Sequence, residues 1–242
     1  MTDTLRSTES LRPIYLLAGI CAFLAMATNL LDLAFGFGET EVAVYGSWSA
    51  QKWLDLFSQN WFRGIYTLGI FNIVYMTLMV PVFVGLLAAH RETYAVSSAA
   101  VLGIAVLALA IYVATNAAVP MLVLSGKYAA AAPPERGIFI AAAEAVLARG
   151  EDFTPGAFYG QFAGGIGAIA AAVIMLRGGV FGKIHAWCGI VGFTFLSAFT
   201  FLATFVPAWY MFAYYFLGSI GGILALAWFF LTGMRFIRLC KA

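Results

Sequence analysis

The sequence predicts an all-α polytopic membrane bundle of six transmembrane helices, N-in/C-in, with an outer interfacial amphipathic helix. Three observations lead there. Of 242 residues, 63% are hydrophobic and 10% are charged, with a mean hydropathy of +0.94, whereas soluble domains run about half apolar and about a quarter charged. An excess of that size has no interior large enough to hold it and must face lipid. The apolar residues also gather into runs of twenty or so, the length a helix needs to cross roughly 30 Å of hydrocarbon. Finally, cations are unevenly divided between alternate loops. The whole chain, 1–242, reads as a single transmembrane domain.

The first span is 13–36. Arg6 and Arg12 ahead of an apolar core, with Ala25-Met26-Ala27 behind it, imitate a secretory signal. The apolar pattern continues through Leu30, Leu31, Leu33 and Phe35, long enough to span and stay. The stretch 47–62 then places aromatic and aliphatic residues at helical intervals with Lys52, Asp55 and Gln59 opposite, which predicts an amphipathic helix at the outer interface, where Trp is favoured. The second span, 64–88, contains Asn72 and Pro81, and the third, 98–124, contains Asn116 and Pro120. Each proline removes a backbone donor and is expected to kink its helix. Asn116 lies where the carbonyl freed by Pro120 appears and is a candidate to satisfy it.

Pro133-Pro134-Glu135 starts a short alanine-rich helix, about 134–149, outside the membrane. The fourth span, 156–176, carries Gln161 and a stripe of small residues, Gly160-x-x-x-Gly164, Ala163-x-x-x-Gly167 and Gly164-x-x-x-Ala168, which lets a neighbouring helix approach closely. The fifth, 186–206, has Thr200 and Thr204 in its outer part. The sixth, 210–232, repeats the small-residue spacing at Gly218-x-x-x-Gly222.

Orientation follows from the cations. A cytoplasmic N-terminus puts Arg6, Arg12, Arg91, Arg177, Lys183, Arg235, Arg238 and Lys241 inside and leaves Lys52, Arg63, Lys127, Arg136 and Arg149 outside. Basic residues in short loops fix orientation and acids count for little, so both termini are expected to be cytoplasmic.

A net charge of +2 with no basic run excludes a nucleic-acid partner. Cys21, Cys188 and Cys240 are scattered and suggest neither a disulfide nor a zinc site. His90 and His185 each fall at the cytoplasmic end of a span, among basic residues, and lack nearby carboxylates for a metal site. No metal or other cofactor is expected. No strained serine elbow or phosphate loop appears, so the reading leans away from an enzyme.

Polar residues inside the spans fall at one depth. Asn29 and Asp32 share a face of the first helix, Asn72 lies about 12 Å below the outer end of the second, and Asn116 and Gln161 lie in the outer parts of the third and fourth. A carboxylate and several amides at one level in lipid must turn inward, either bonding one another or lining a wet cavity. Asp32 is the only acid inside a span. Its expected partners are Asn29 and Arg63, at the mouth of the second helix. The competing reading is interhelical glue, since such groups bond across helices without further purpose.

The second half carries a recognisable pattern. Pro134-Glu135-Arg136 through Ala145 leads to a Gly/Ala-rich span and the turn Arg177-Gly178-Gly179-Val180-Phe181-Gly182-Lys183. Trp187-Cys188-Gly189-Ile190-Val191-Gly192 follows, and then Trp228 through Gly233-Met234-Arg235. This resembles a widespread bacterial group of multi-spanning proteins catalogued as a domain of unknown function, over residues 134–238, with the first three helices matching by architecture. The resemblance implies a bacterial inner (plasma) membrane bundle and no assigned activity, substrate or cofactor. The reading that follows is a small-ligand-binding or transport-like protein with an outward-facing pocket of Asp32, Asn29, Asn72, Asn116, Gln161 and Arg63. The alternative is a non-catalytic partner subunit that docks through its small-residue stripes and outer helix. Expected partners are membrane lipid, a small molecule, and another membrane protein or a second copy.

Overall fold

Lipid offers no partners to backbone N–H and C=O groups, so a chain this apolar must satisfy them internally, most simply in helices. The structure, a computed structural model, describes residues 11–36, 48–151 and 154–241, which contain helices and no strand. Ser47, the first residue of the expected 47–62 helix, and Arg6 lie outside them.

In chain order the helices are α1 (Arg12–Gly36), α2 (Ala50–Gln59), α3 (Trp61–Thr67), α4 (Ile70–His90), α5 (Ala95–Thr115), α6 (Ala118–Ala130), α7 (Arg136–Gly150), α8 (Pro155–Gly178), α9 (Lys183–Phe205) and α10 (Ser219–Lys241). Among the described residues six stretches are long and apolar enough to cross a membrane, and they overlap the six expected runs. Their outer faces are apolar as well. On α1, Leu16, Leu17, Ile20, Leu24, Leu30 and Leu31 are all exposed, as lipid contact requires.

The six long helices close into a ring, α1–α4–α5–α8–α9–α10 and back to α1, with α4 and α8 touching across it. α1 and α10 run antiparallel: Tyr15 stacks on Phe236 at 6.1 Å, and Phe23 meets Phe230 edge-on at 6.0 Å. Ala18, Ala22, Met79, Val82, Phe83, Leu86, Met175, Trp228 and Phe236 fill the centre.

The small residues set how closely these helices approach. A Cβ on Gly160 would lie 2.8 Å from that of Tyr112, and one on Gly167 3.2 Å from Ile104, so the α8 stripe is used up against α5 inside the chain. Between α9 and α10 the contact differs from the expected Gly218/Gly222 spacing. A Cβ on Gly221 would meet the Gly192 carbonyl at 3.0 Å, while one on Gly222 has nothing within 4 Å. The stripe that faces α9 is one residue away from the one the spacing suggested.

Three spans begin or end elsewhere than expected, the sixth running on from 232 to Lys241. The second starts at Ile70, because Gly69 takes the left-handed conformation (φ 79°) and turns the chain out of α3. α4 then continues through Pro81 without interruption. The third run is two helices. A continuous helix over the 36 residues Ala95–Ala130 would be about 54 Å long, far more than the bilayer core. α5 alone, 21 residues, reaches about 31 Å. The chain breaks at Asn116, which is extended (φ −56°, ψ 133°), and Pro120 sits in the first turn of α6, where a missing N–H costs nothing.

α2, α3, α6 and α7 pack into a cap with its own core of Trp53, Leu54, Phe57, Leu68, Met121, Tyr128 and Leu147. This corrects the continuity of the expected amphipathic helix at 47–62. It is divided at Asn60 into α2 and α3, and the apolar face of α2 is covered by α6 and α7. Glu144 of α7 accepts the Ala50 N–H at 3.1 Å, capping α2 from outside, beside its own Ser49 cap on Lys52 N–H at 3.3 Å.

Candidate functional site

The cap sits over one end of the ring, and the polar residues singled out in the sequence lie near that junction. Asn116 is its centre. Buried to 7% exposure, its amide donates from Nδ2 to the Leu68 carbonyl at 2.8 Å and accepts the Ala118 N–H on Oδ1 at 3.0 Å. It therefore joins the end of α3 to the start of α6. The expectation that it satisfies the carbonyl freed by Pro120 is replaced by this double role at a full helix break. Arg149 Nη2 donates to the Ala114 carbonyl at 2.8 Å, and Ala117 N–H to Gly150 O at 3.3 Å. α7 thus takes up carbonyl and amide groups that the break would leave unpaired.

The remaining residues can be placed from this seam. Asn72 is one turn beyond Leu68, in the first turn of α4. Phe35 stacks on Tyr66 at 5.2 Å and on Phe71 at 5.8 Å, which brings the last turns of α1 against α3 and the start of α4. Asp32, one turn before Phe35, and Arg63, one turn before Tyr66, flank that aromatic contact, and both are half-buried. Gly160 rests on Tyr112, one turn before Asn116, so Gln161, also half-buried, enters from α8 at the same level. Asn29 lies one turn deeper and donates from Nδ2 to the Ala25 carbonyl of its own helix at 2.8 Å. Asp32, Arg63 and Gln161 each hold a further interaction within the protein.

The layer therefore sorts into two kinds of residue. Asn116 and the donor end of Asn29 are engaged with backbone. Asp32, Arg63, Asn72 and Gln161 bring one acid, one base and two amides to the underside of the cap. Below them the apolar core fills the ring toward the termini. Among the described residues no group of three or more His, Cys, Asp or Glu is placed to hold a metal ion.

Two features at the opposite end were not legible in the sequence. His90, expected among interfacial residues, is 3% exposed. Its ring stacks on Phe181 at 5.7 Å and its Nδ1 is 3.0 Å from the Leu86 carbonyl. Phe181 also packs on His185 at 6.4 Å. Beside these rings, the α8–α9 turn and α10 enclose a cleft of about 480 Å³. The sequence signals for it were the turn 177–183 and the loop cations, which give no hint that residues so far apart in the chain face each other.

Comparison with protein-family models, with curated proteins and with solved structures returns no match.

Proposed function

We propose that the chain is a non-catalytic, multi-pass protein of the bacterial inner (plasma) membrane that binds a small polar ligand in the layer beneath its cap. The bacterial assignment rests on the sequence resemblance over residues 134–238. The orientation rests on charge: Arg12, Arg91, Arg177, Lys183, Arg235, Arg238 and Lys241 flank the ring at the end opposite the cap, the pattern of a cytoplasmic face. The cap then faces outward.

The observation that carries the ligand reading is Asp32, an acid half-buried near the capped end of a span. An acid there is costly, and such residues commonly mark a substrate or ion path. Arg63, Asn72 and Gln161 supply donors of the kind a small anionic or zwitterionic molecule would need. A docking role through the small-residue stripe of α8 has less support, since that stripe is occupied within the chain.

The test is native mass spectrometry of the mildly solubilised protein beside Asp32→Asn. A small molecule on the wild type that is lost from the variant, with both folded, is the expected result. Absence of any ligand from both, together with an intact assembly with another protein that the substitution leaves unchanged, would contradict the proposal and favour a partner subunit.

A further inference from the structure

The cleft at the terminal end is built from two kinds of surface. Phe181, Phe230 and Met234 give an apolar wall, while His185, Arg235 and Arg238 give a polar rim, and none of the lining residues is acidic. Arg235 and Arg238 are three apart on α10 and so share a face. Arg235 Nε donates to the Val180 carbonyl at 2.8 Å, which fixes the guanidinium against the α8–α9 turn and leaves the terminal amino groups of its fork for another acceptor. His185 reaches the cleft from the first turn of α9. A Cβ on Gly182 would lie 2.9 Å from His185 Nδ1, so a side chain at 182 would crowd the imidazole. Among the described residues no carboxylate pairs with either arginine.

Two guanidiniums beside an apolar wall, in a lining without an acidic residue and with no carboxylate partner among the described residues, call for an anion attached to something apolar. Arginine forks match phosphate oxygens bidentately, and basic pockets between membrane helices are suited to phosphorylated head groups. The wall of Phe181, Phe230 and Met234 would have no role against a bare inorganic ion. The volume, about 480 Å³, is within the range of small-molecule sites. We propose that this cleft binds a phosphate group carried on an apolar chain, as in an anionic phospholipid, at the end of the bundle opposite the cap. The proposal is independent of the layer around Asp32.

The experiment uses the full chain, delipidated in mild detergent and titrated with phosphatidylglycerol or phosphatidylcholine, with bound lipid read by native mass spectrometry. Wild type is expected to retain phosphatidylglycerol over phosphatidylcholine by at least about five-fold, and Arg238→Gln to weaken phosphatidylglycerol binding by about five-fold. Arg238 is exposed, so its loss should leave folding intact, and an unchanged melting temperature checks this. Lys183→Gln removes a nearby cation outside the lining, and it and Asp32→Asn should leave lipid binding unchanged. Equal retention of the two lipids, or equal loss in Arg238→Gln and Lys183→Gln, would overturn the proposal by reducing the effect to general surface charge. Inorganic phosphate provides the second arm. Failure of millimolar phosphate to displace phosphatidylglycerol supports a lipid source, and phosphate binding as tight as the lipid's would overturn it in favour of a soluble ligand.

Discussion

A polar side chain inside an apolar bundle has to find its partners within the protein, and Asn116 finds two on backbone from different helices. Removing it leaves the Leu68 carbonyl and the Ala118 N–H without those bonds in a buried site. Asn116→Ala is therefore expected to destabilise the fold by about 2 kcal/mol, read as a lower midpoint in a denaturant titration. An unchanged midpoint would mean that the break does not depend on this amide. Asp32→Asn is a different kind of change. It keeps the shape but alters a carboxyl that already interacts within the protein, so the variant is expected to stay folded, as a cooperative melting transition would show, while ligand is lost. His90 belongs to the same scale: the sequence places it at a helix end, where exposure is the ordinary outcome. Only the approach of Gly178 and Phe181, from a segment far along the chain, buries it.

Among the elements, hydropathy located six spans, and the first, fourth and fifth to within about three residues, because burial in lipid and burial in the bundle ask for the same side chains. The same fact hid the cap. α6, Ala-Val-Pro-Met-Leu-Val-Leu at its start, is as apolar as a span, and nothing in its composition separates a face that packs on α2 from one that meets lipid. Length was the one available signal, since an unbroken helix over the apolar stretch 95–130 would exceed what a bilayer can hold. Close packing at the seam makes a sharp comparison possible. A Cβ at Gly150 would overlap the Thr115 carbonyl, while one at Gly126 meets nothing within 4 Å. Gly150→Ala should cost about 1–3 kcal/mol through forced displacement of the seam. Gly126→Ala, in the interior of α6, should be neutral or stabilising by up to about 1 kcal/mol. Equal effects would show that the α5–α7 contact is not as tight as described. The cap on α2 gives a third test. Glu144→Ala removes the acceptor of the Ala50 N–H and should speed hydrogen exchange in the first turn of α2, leaving α8–α10 unaffected.

For the whole molecule, the ring and the cap divide the work. The ring uses its glycines for its own helix contacts and presents leucine, isoleucine, valine and phenylalanine outward, as a lipid-solvated body must. The cap covers one end, and beneath it stand the groups that the sequence had placed at one depth. That common depth was legible because a helix rises by a fixed step per residue. Which of those groups serve the backbone was not, because it depends on a helix break and on neighbours from α3 and α7. The most direct test of the ligand layer is whether water reaches it from the capped side. Asn72→Cys, in a background with Cys21, Cys188 and Cys240 replaced, would be treated with a membrane-impermeant thiol reagent applied to either face of sealed vesicles. Modification from the face opposite the termini, slowed when the molecule found by native mass spectrometry is added, is the predicted result. An introduced thiol that stays unmodified from both faces in the folded protein would contradict a ligand site there and leave the polar layer as interhelical glue.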